Sequence, residues 1–149
     1  MAMLPFCGYN MADYWGHWIN IGKQTGVKLP KIFYVNWFRK DDDGKFIWPG
    51  FGENSRILKW IFERCDGSGK AIETPIGNLP TIDSLYLDGL QLSENEIAQL
   101  LRVEIDGWLT EIPLIEAYYE SYNGRTPKEL LNELARLKER LEAARTEAA

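Results

Sequence analysis

The sequence predicts an α/β protein that ends in a helical tail, and three observations carry this. Apolar residues recur at helical spacing over 11–23, a β-branched and aromatic run at 31–38 reads as a buried strand, and helix signals dominate from residue 93 onward. A chain of 149 residues has room for one domain with a sizeable core.

Asn10 is a good N-cap for the first helix, over about 11–23. Met11, Tyr14, Trp15, Trp18 and Ile19 form one apolar stripe on it. His17, the only histidine, sits beside that stripe with no ligand-type residue at metal spacing, and reads as structural. Thr25-Gly26 ends the helix, and Lys28-Leu29-Pro30 leads into the strand, from Lys31 to Phe38. A second helix should start near Asn54 or Ser55 and reach about Cys65. Its expected inner face is Ile57, Leu58, Ile61 and Phe62, with Glu53 or Asn54 as cap. Asp66-Gly67-Ser68-Gly69 is a surface turn, and 71–77 looks extended, with Pro75 limiting it to an edge or bend.

The rest is helical. Ser93-Glu94-Asn95-Glu96 is a capping box opening a short helix through Leu100 and Leu101. The pattern continues over 104–122 with Ile105, Trp108, Leu109, Ile112, Ile115 and Tyr119, with a kink or break expected at Pro113. Asn123-Gly124 closes it, and Thr126-Pro127-Lys128-Glu129 reads as a second capping box with proline at the first helical position. Leu130, Leu134, Leu137 and Leu141 then mark a terminal helix, too short for a secure coiled coil and suited to packing on its own domain.

Composition separates the two halves. Fourteen of the nineteen aromatic rings lie in residues 1–64, where nine Lys/Arg against six Asp/Glu give +3. Residues 65–149 carry eight against sixteen, giving −8 and the total of −5. An acidic chain without a basic stripe argues against duplex nucleic acid as a partner, while the mildly basic front half suits a small anion. Cys7 and Cys65 are too few for a disulfide scaffold or zinc site and read as reduced thiols. No apolar run approaches the ~20 residues that span a bilayer, and the start lacks the marks of a signal peptide. The expected location is cytoplasmic. The start, with its Pro5-Phe6-Cys7-Gly8 turn feeding a helix at once, reads as though an earlier element were missing.

The stretch from Trp37 to Asn54 departs from any core pattern. It holds five rings, Trp37, Phe38, Phe46, Trp48 and Phe51, among glycines, a proline and charged residues. Asp43-Gly44 marks a tight turn that carries Phe38 and Phe46 toward each other. Pro49-Gly50 bends the chain again and brings Phe51 to the mouth of the second helix. Two readings stay open: a satellite aromatic core under a long loop, or a slot for a flat aromatic ligand. Ligands collect beyond the carboxyl ends of strands in open α/β sheets, which favours the slot.

No complete catalytic constellation is present. The chain lacks a G-x-x-x-x-G-K-S/T phosphate loop, an H-E-x-x-H, a G-x-S-x-G and a C-x-x-C. Asp41-Asp42-Asp43 is the one acid cluster, and a triple acid in a turn is more often solvated than metal-bound.

Four segments in order carry a specific likeness: Phe6-x-Gly8-Tyr9-Asn10, then Lys28 to Phe33, then Val35 to Arg56, then Thr74-Pro75-Ile76-Gly77. The run N-W-F-R-K-x-x-x-G-K-F-x-W-P-G-F-G-E-N-S-R is its strongest part. Together they resemble the C-terminal portion of GTP-dependent phosphoenolpyruvate carboxykinase, through roughly residues 2–80. The resemblance implies a C-terminal piece of a P-loop kinase-like α/β domain, from an enzyme converting oxaloacetate and GTP to phosphoenolpyruvate, carbon dioxide and GDP with manganese or magnesium. It implies that Phe38 and Phe51 sandwich guanine, that Phe46 lines the pocket and that Trp37 adjoins it. It also implies that Phe51, Gly52, Glu53 and Asn54 meet the base edge, with Asn54 reading guanine. The family's phosphate loop, metal ligands, oxaloacetate-binding arginines and lid lie N-terminal to the matched stretch.

The expected organisation is therefore a guanine-binding segment at 1–80 and a helical tail at 81–149. The expected partners are a guanine nucleotide and the remainder of the enzyme, with self-association through the unpaired edges of the 31–38 strand. The chain alone is expected to be inactive. The alternatives are a stand-alone nucleotide-binding module and a non-catalytic interaction fragment.

Overall fold

A computed structural model of the chain describes residues 6–147. Met1 to Pro5, which include the start of the expected Pro5-Phe6-Cys7-Gly8 turn, lie outside the described residues. The described chain is α-rich with one two-stranded antiparallel sheet, consistent with the α/β class. It forms two compact units, one from residues 1–30 with 104–149 and the other from 31–103. The division at residue 80 read from the sequence concerns binding and tail, not these packing units.

The first unit is built from three helices. α1 runs Met11–Gly22, and the Asn10 side chain accepts from the Ala12 N–H at 2.9 Å. α4 runs Ile105–Glu120 without a break at Pro113, which simply lacks the N–H that would bond the preceding turn. α4 packs on α5, Lys128–Glu147, where Leu134 and Leu141 are buried. Between them Asn123 and Gly124 both take left-handed backbone, so the chain reverses where the Asn-Gly pair marked it. The second capping box does not form. The Thr126 hydroxyl donates to the Tyr119 carbonyl at 2.8 Å, and the Glu129 carboxylate pairs with Lys23 instead. α5 begins at Lys128, so Pro127 stands one residue before the helix instead of at its first position. Met11, Ala12, Trp15 and Tyr122 are the buried cluster, with Tyr118, Tyr119 and Leu130 packed around it. His17 is exposed and Ile19 is half-buried, while Trp18 of the expected stripe remains 48% exposed.

The second unit holds α2 (Asn54–Asp66), the hairpin of β1 (Ile72–Thr74) and β2 (Gly77–Leu79), and α3 (Glu94–Leu101). Pro75 and Ile76 form the hairpin's turn, with Ile72 opposite Leu79 and Thr74 opposite Gly77. The capping box at Ser93 forms on both sides, with Glu96 N–H to Ser93 Oγ at 3.3 Å and Ser93 N–H to Glu96 Oε2 at 2.8 Å. Two expectations for α2 are corrected. Its buried residue is Trp60, whose indole N–H reaches the Lys70 carbonyl at 2.8 Å, while Leu58 and Phe62 lie exposed. Neither Glu53 nor Asn54 caps it through a side chain, because Glu53 pairs with Arg56 and Asn54 accepts from Trp48.

The largest correction concerns 31–38. No strand forms there: residues 31–36 have no regular structure, and Ile32 and Tyr34 are exposed. A strand is defined by its neighbours, and no strand among the described residues pairs with this run. Within 31–36 only Phe33 is partly covered, meeting Trp60 edge-on at 5.9 Å.

Candidate functional site

The 37–54 stretch is shaped by two backbone devices. The first is a narrow hairpin. Lys40 and Phe46 pair across it, Asp41 N–H donates to the Lys45 carbonyl at 2.9 Å, and Ile47 N–H donates to the Arg39 carbonyl at 3.0 Å. The Asp41 carboxylate also accepts the Lys45 N–H at 2.8 Å, a side-chain bond that closes the turn a second time. Gly44 takes φ +79°, the left-handed position that Asp-Gly turns supply. Phe38 and Phe46 consequently meet edge-to-face at 5.9 Å, and the Lys40 ammonium lies 5.1 Å from the centre of the Phe46 ring.

The second device is Gly50. Its φ of 106° and ψ of −156° belong to a region open essentially to glycine alone. That bend starts a 3-10 turn, Phe51–Glu53, which feeds directly into α2. It leaves Phe51 94% exposed. Glu53 turns away toward Arg56, whose guanidinium also donates to the carbonyls of Tyr86 at 2.7 Å and Asp88 at 2.9 Å. This ties the start of α2 to the 86–88 loop.

Between the devices lies an open cleft of about 570 Å³. Trp37, Phe38, Phe46, Phe51 and Asn54 of the expected site line it; Gly52 and Glu53 do not. Lys45, Trp48, Pro49 and Gly50 also line it and were not among the expected site residues. For Trp48 a signal existed, since a buried indole needs an acceptor and an asparagine lies six residues on. Phe38 is 71% and Phe46 51% exposed, so these rings are not a satellite core. Trp37 is half-buried with its ring 6.2 Å from that of Trp48, which is buried. The cleft thus offers exposed aromatic rings, one amide and the Lys45 ammonium, a lining suited to a flat, polar-edged, anionic molecule. Among the described residues no group of three or more His, Cys, Asp and Glu stands ready to hold a metal ion. Nor is any helix there long and apolar enough to cross a membrane.

An α-rich chain bearing such a cleft can be set beside known proteins. It belongs to the family described as phosphoenolpyruvate carboxykinase C-terminal P-loop domain, which matches residues 1–140. The match thus reaches through the helical tail, well past the segments that carry the motifs. Proteins named phosphoenolpyruvate carboxykinase (GTP) are similar to it. Those of Treponema pallidum (strain Nichols) and Renibacterium salmoninarum are each 51% identical over 142 residues, and that of Neocallimastix frontalis is 52% identical over 145. These alignments cover 94%, 95% and 96% of this chain but 23%, 23% and 24% of the relatives. The chain spans about a quarter of the length of the curated relatives it matches.

Proposed function

We propose that this chain supplies the guanine-binding part of a GTP-dependent phosphoenolpyruvate carboxykinase, within the P-loop kinase-like nucleotide domain of that enzyme. The whole enzyme would convert oxaloacetate and GTP to phosphoenolpyruvate, carbon dioxide and GDP. The observation that carries this is the exposure of Phe38, Phe46 and Phe51 on one cleft in a chain of this family. A phenyl ring left in water forgoes about 1.5–3 kcal/mol of burial, and a flat base seated among these rings recovers part of it.

In this reading Phe38 and Phe51 stack on the guanine faces, Phe46 props Phe38 from its edge, and Trp37 closes the inner wall. Asn54 meets the base edge, with the backbone of Gly52 and Glu53 beside it. Residues 1–80 are then the base-binding segment and 81–149 its helical support. Phosphoryl transfer depends on positioning the phosphates and neutralising their charge. Those tasks, and the handling of manganese or magnesium and oxaloacetate, fall to the remainder of the enzyme, which is the chain's partner in the cytoplasm.

Two measurements test the reading. Titrating the purified chain with GDP and ADP, followed by tryptophan fluorescence, should show binding with preference for GDP; no preference would overturn it. Assay of the chain alone with oxaloacetate, GTP and manganese should show no turnover, and measurable phosphoenolpyruvate would refute the division of labour.

A further inference from the structure

We propose that Trp48 sets which base the cleft accepts, by holding the Asn54 amide in one of its two orientations. The inference rests on the guanine-binding reading above. The Trp48 indole N–H donates to Asn54 Oδ1 at 2.8 Å, and both residues line the cleft. An indole nitrogen only donates, so it can face the amide oxygen but never the amide nitrogen. A flipped Asn54 would set donor against donor at a buried site, which strongly disfavours it.

The indole cannot readily swing aside to permit that flip. Trp48 is 7% exposed, and its neighbour Ile47 is pinned through its N–H to the Arg39 carbonyl at 3.0 Å. The Trp37 ring lies tilted beside it at 6.2 Å and 41°. Asn54 is equally confined, because it is the first residue of α2 and half-buried. Its amide nitrogen has no hydrogen-bond partner among the described residues. The orientation of the amide is therefore fixed: one of the oxygen's two lone pairs is taken by the indole, and the NH2 is left without a partner for a ligand to meet.

That single commitment discriminates between purines. Guanine and hypoxanthine carry an acceptor, O6, at the six position, and an NH2 donor complements it. Adenine carries its own amino donor there, so two donors would meet. Without Trp48 the amide could turn over and accommodate either base. Trp48 is thus a positioning residue, acting on the base through Asn54.

The test measures dissociation constants of GDP, IDP and ADP for the purified chain and for Trp48→Phe, Asn54→Ala and the double variant. Trp48→Phe keeps an aromatic ring and removes the donor. The GDP:ADP and IDP:ADP affinity ratios should each fall by about tenfold, as for one lost polar discrimination. In the Asn54→Ala background the same substitution should leave both ratios unchanged, which a merely structural effect would not do. If the parent chain shows no guanine preference, the guanine-binding reading fails and this inference with it. If the parent prefers guanine while Trp48→Phe weakens GDP and ADP by one common factor, only this inference fails. Should Trp48→Phe not fold, the Trp48 indole N–H resonance decides. It should move on Asn54→Ala without nucleotide, and an unmoved resonance overturns the proposal.

Discussion

The ring of Phe46 meets the ring of Phe38 at 5.9 Å and 64° because Lys40 and Phe46 pair across the Asp43-Gly44 turn. Phe51 has no comparable ring contact among the described residues and is 94% exposed. These two sides of the cleft should respond differently to truncation. Phe51→Ala should change stability by no more than about 0.5 kcal/mol, as expected for an exposed side chain. It should nevertheless weaken GDP and IDP alike by ~1–3 kcal/mol, the usual worth of one stacked base. Phe46→Ala should cost stability as well, since it removes an aromatic pair worth about 0.5–1.5 kcal/mol. Denaturant titrations beside nucleotide titrations check both; a Phe51→Ala chain that binds as tightly as the parent would remove that ring from the site.

Gly50 and Gly52 offer a controlled comparison two residues apart. Neither would bring an added Cβ within 4 Å of another group, so crowding plays no part. Gly50, however, sits at φ 106° and ψ −156°, whereas Gly52 has no such backbone. Gly50→Ala should therefore destabilise the fold by about 1–3 kcal/mol and loosen nucleotide binding as Phe51 shifts. Gly52→Ala should do neither to a comparable degree. Thermal melts of the two variants decide it, and equal melting temperatures would show that the bend at Gly50 is not strained.

What the sequence made legible was local. The Asp-Gly turn, the Ser93 box and the Asn123-Gly124 reversal are each specified within four residues, and each forms. Thr126 and Glu129 mislead because distant partners, Tyr119 and Lys23, win their side chains. The 31–38 run misleads for another reason. Its composition records that the segment suits burial, but not whether a strand is there to cover it. Five members of the expected site line one cleft because two turns dictate their approach. For the Trp48–Asn54 bond the sequence offers a donor and an acceptor six residues apart, but not the path of the Gly50 bend that brings them together.

Tyr122 carries the clearest pH signature. Burial, reinforced by the hydrogen bond from its hydroxyl to that of Tyr118 at 2.6 Å, pushes its ionisation up to about 12. The unfolded value is about 10. A phenol whose folded pKa is raised contributes stability that is full below pH ~10 and lost as pH climbs toward about 12. The chain should thus lose stability over that alkaline window. Tyr122→Phe should remove both that loss and one late-titrating phenol from the tyrosinate absorbance. If all seven tyrosines titrated together near their ordinary value, the buried role of Tyr122 would be refuted.

The 31–36 segment should make the chain self-associate. Ile32 and Tyr34 are each 92% exposed, while Phe33 between them turns inward onto Trp60. One end is anchored, because the Lys31 ammonium bonds the carbonyls of Arg64 and Cys65 at the end of α2. What remains is an apolar, β-prone run whose backbone pairs with no strand among the described residues, a template for another chain's edge. Sedimentation equilibrium should therefore show oligomers growing with concentration. Replacing Ile32 and Tyr34 together by lysine should return the chain to a monomer, since charge blocks edge pairing. The same double variant should leave the cleft's base preference intact, because neither residue lines it. A parent chain that stays monomeric across the concentration range would show that this segment does not recruit a second copy.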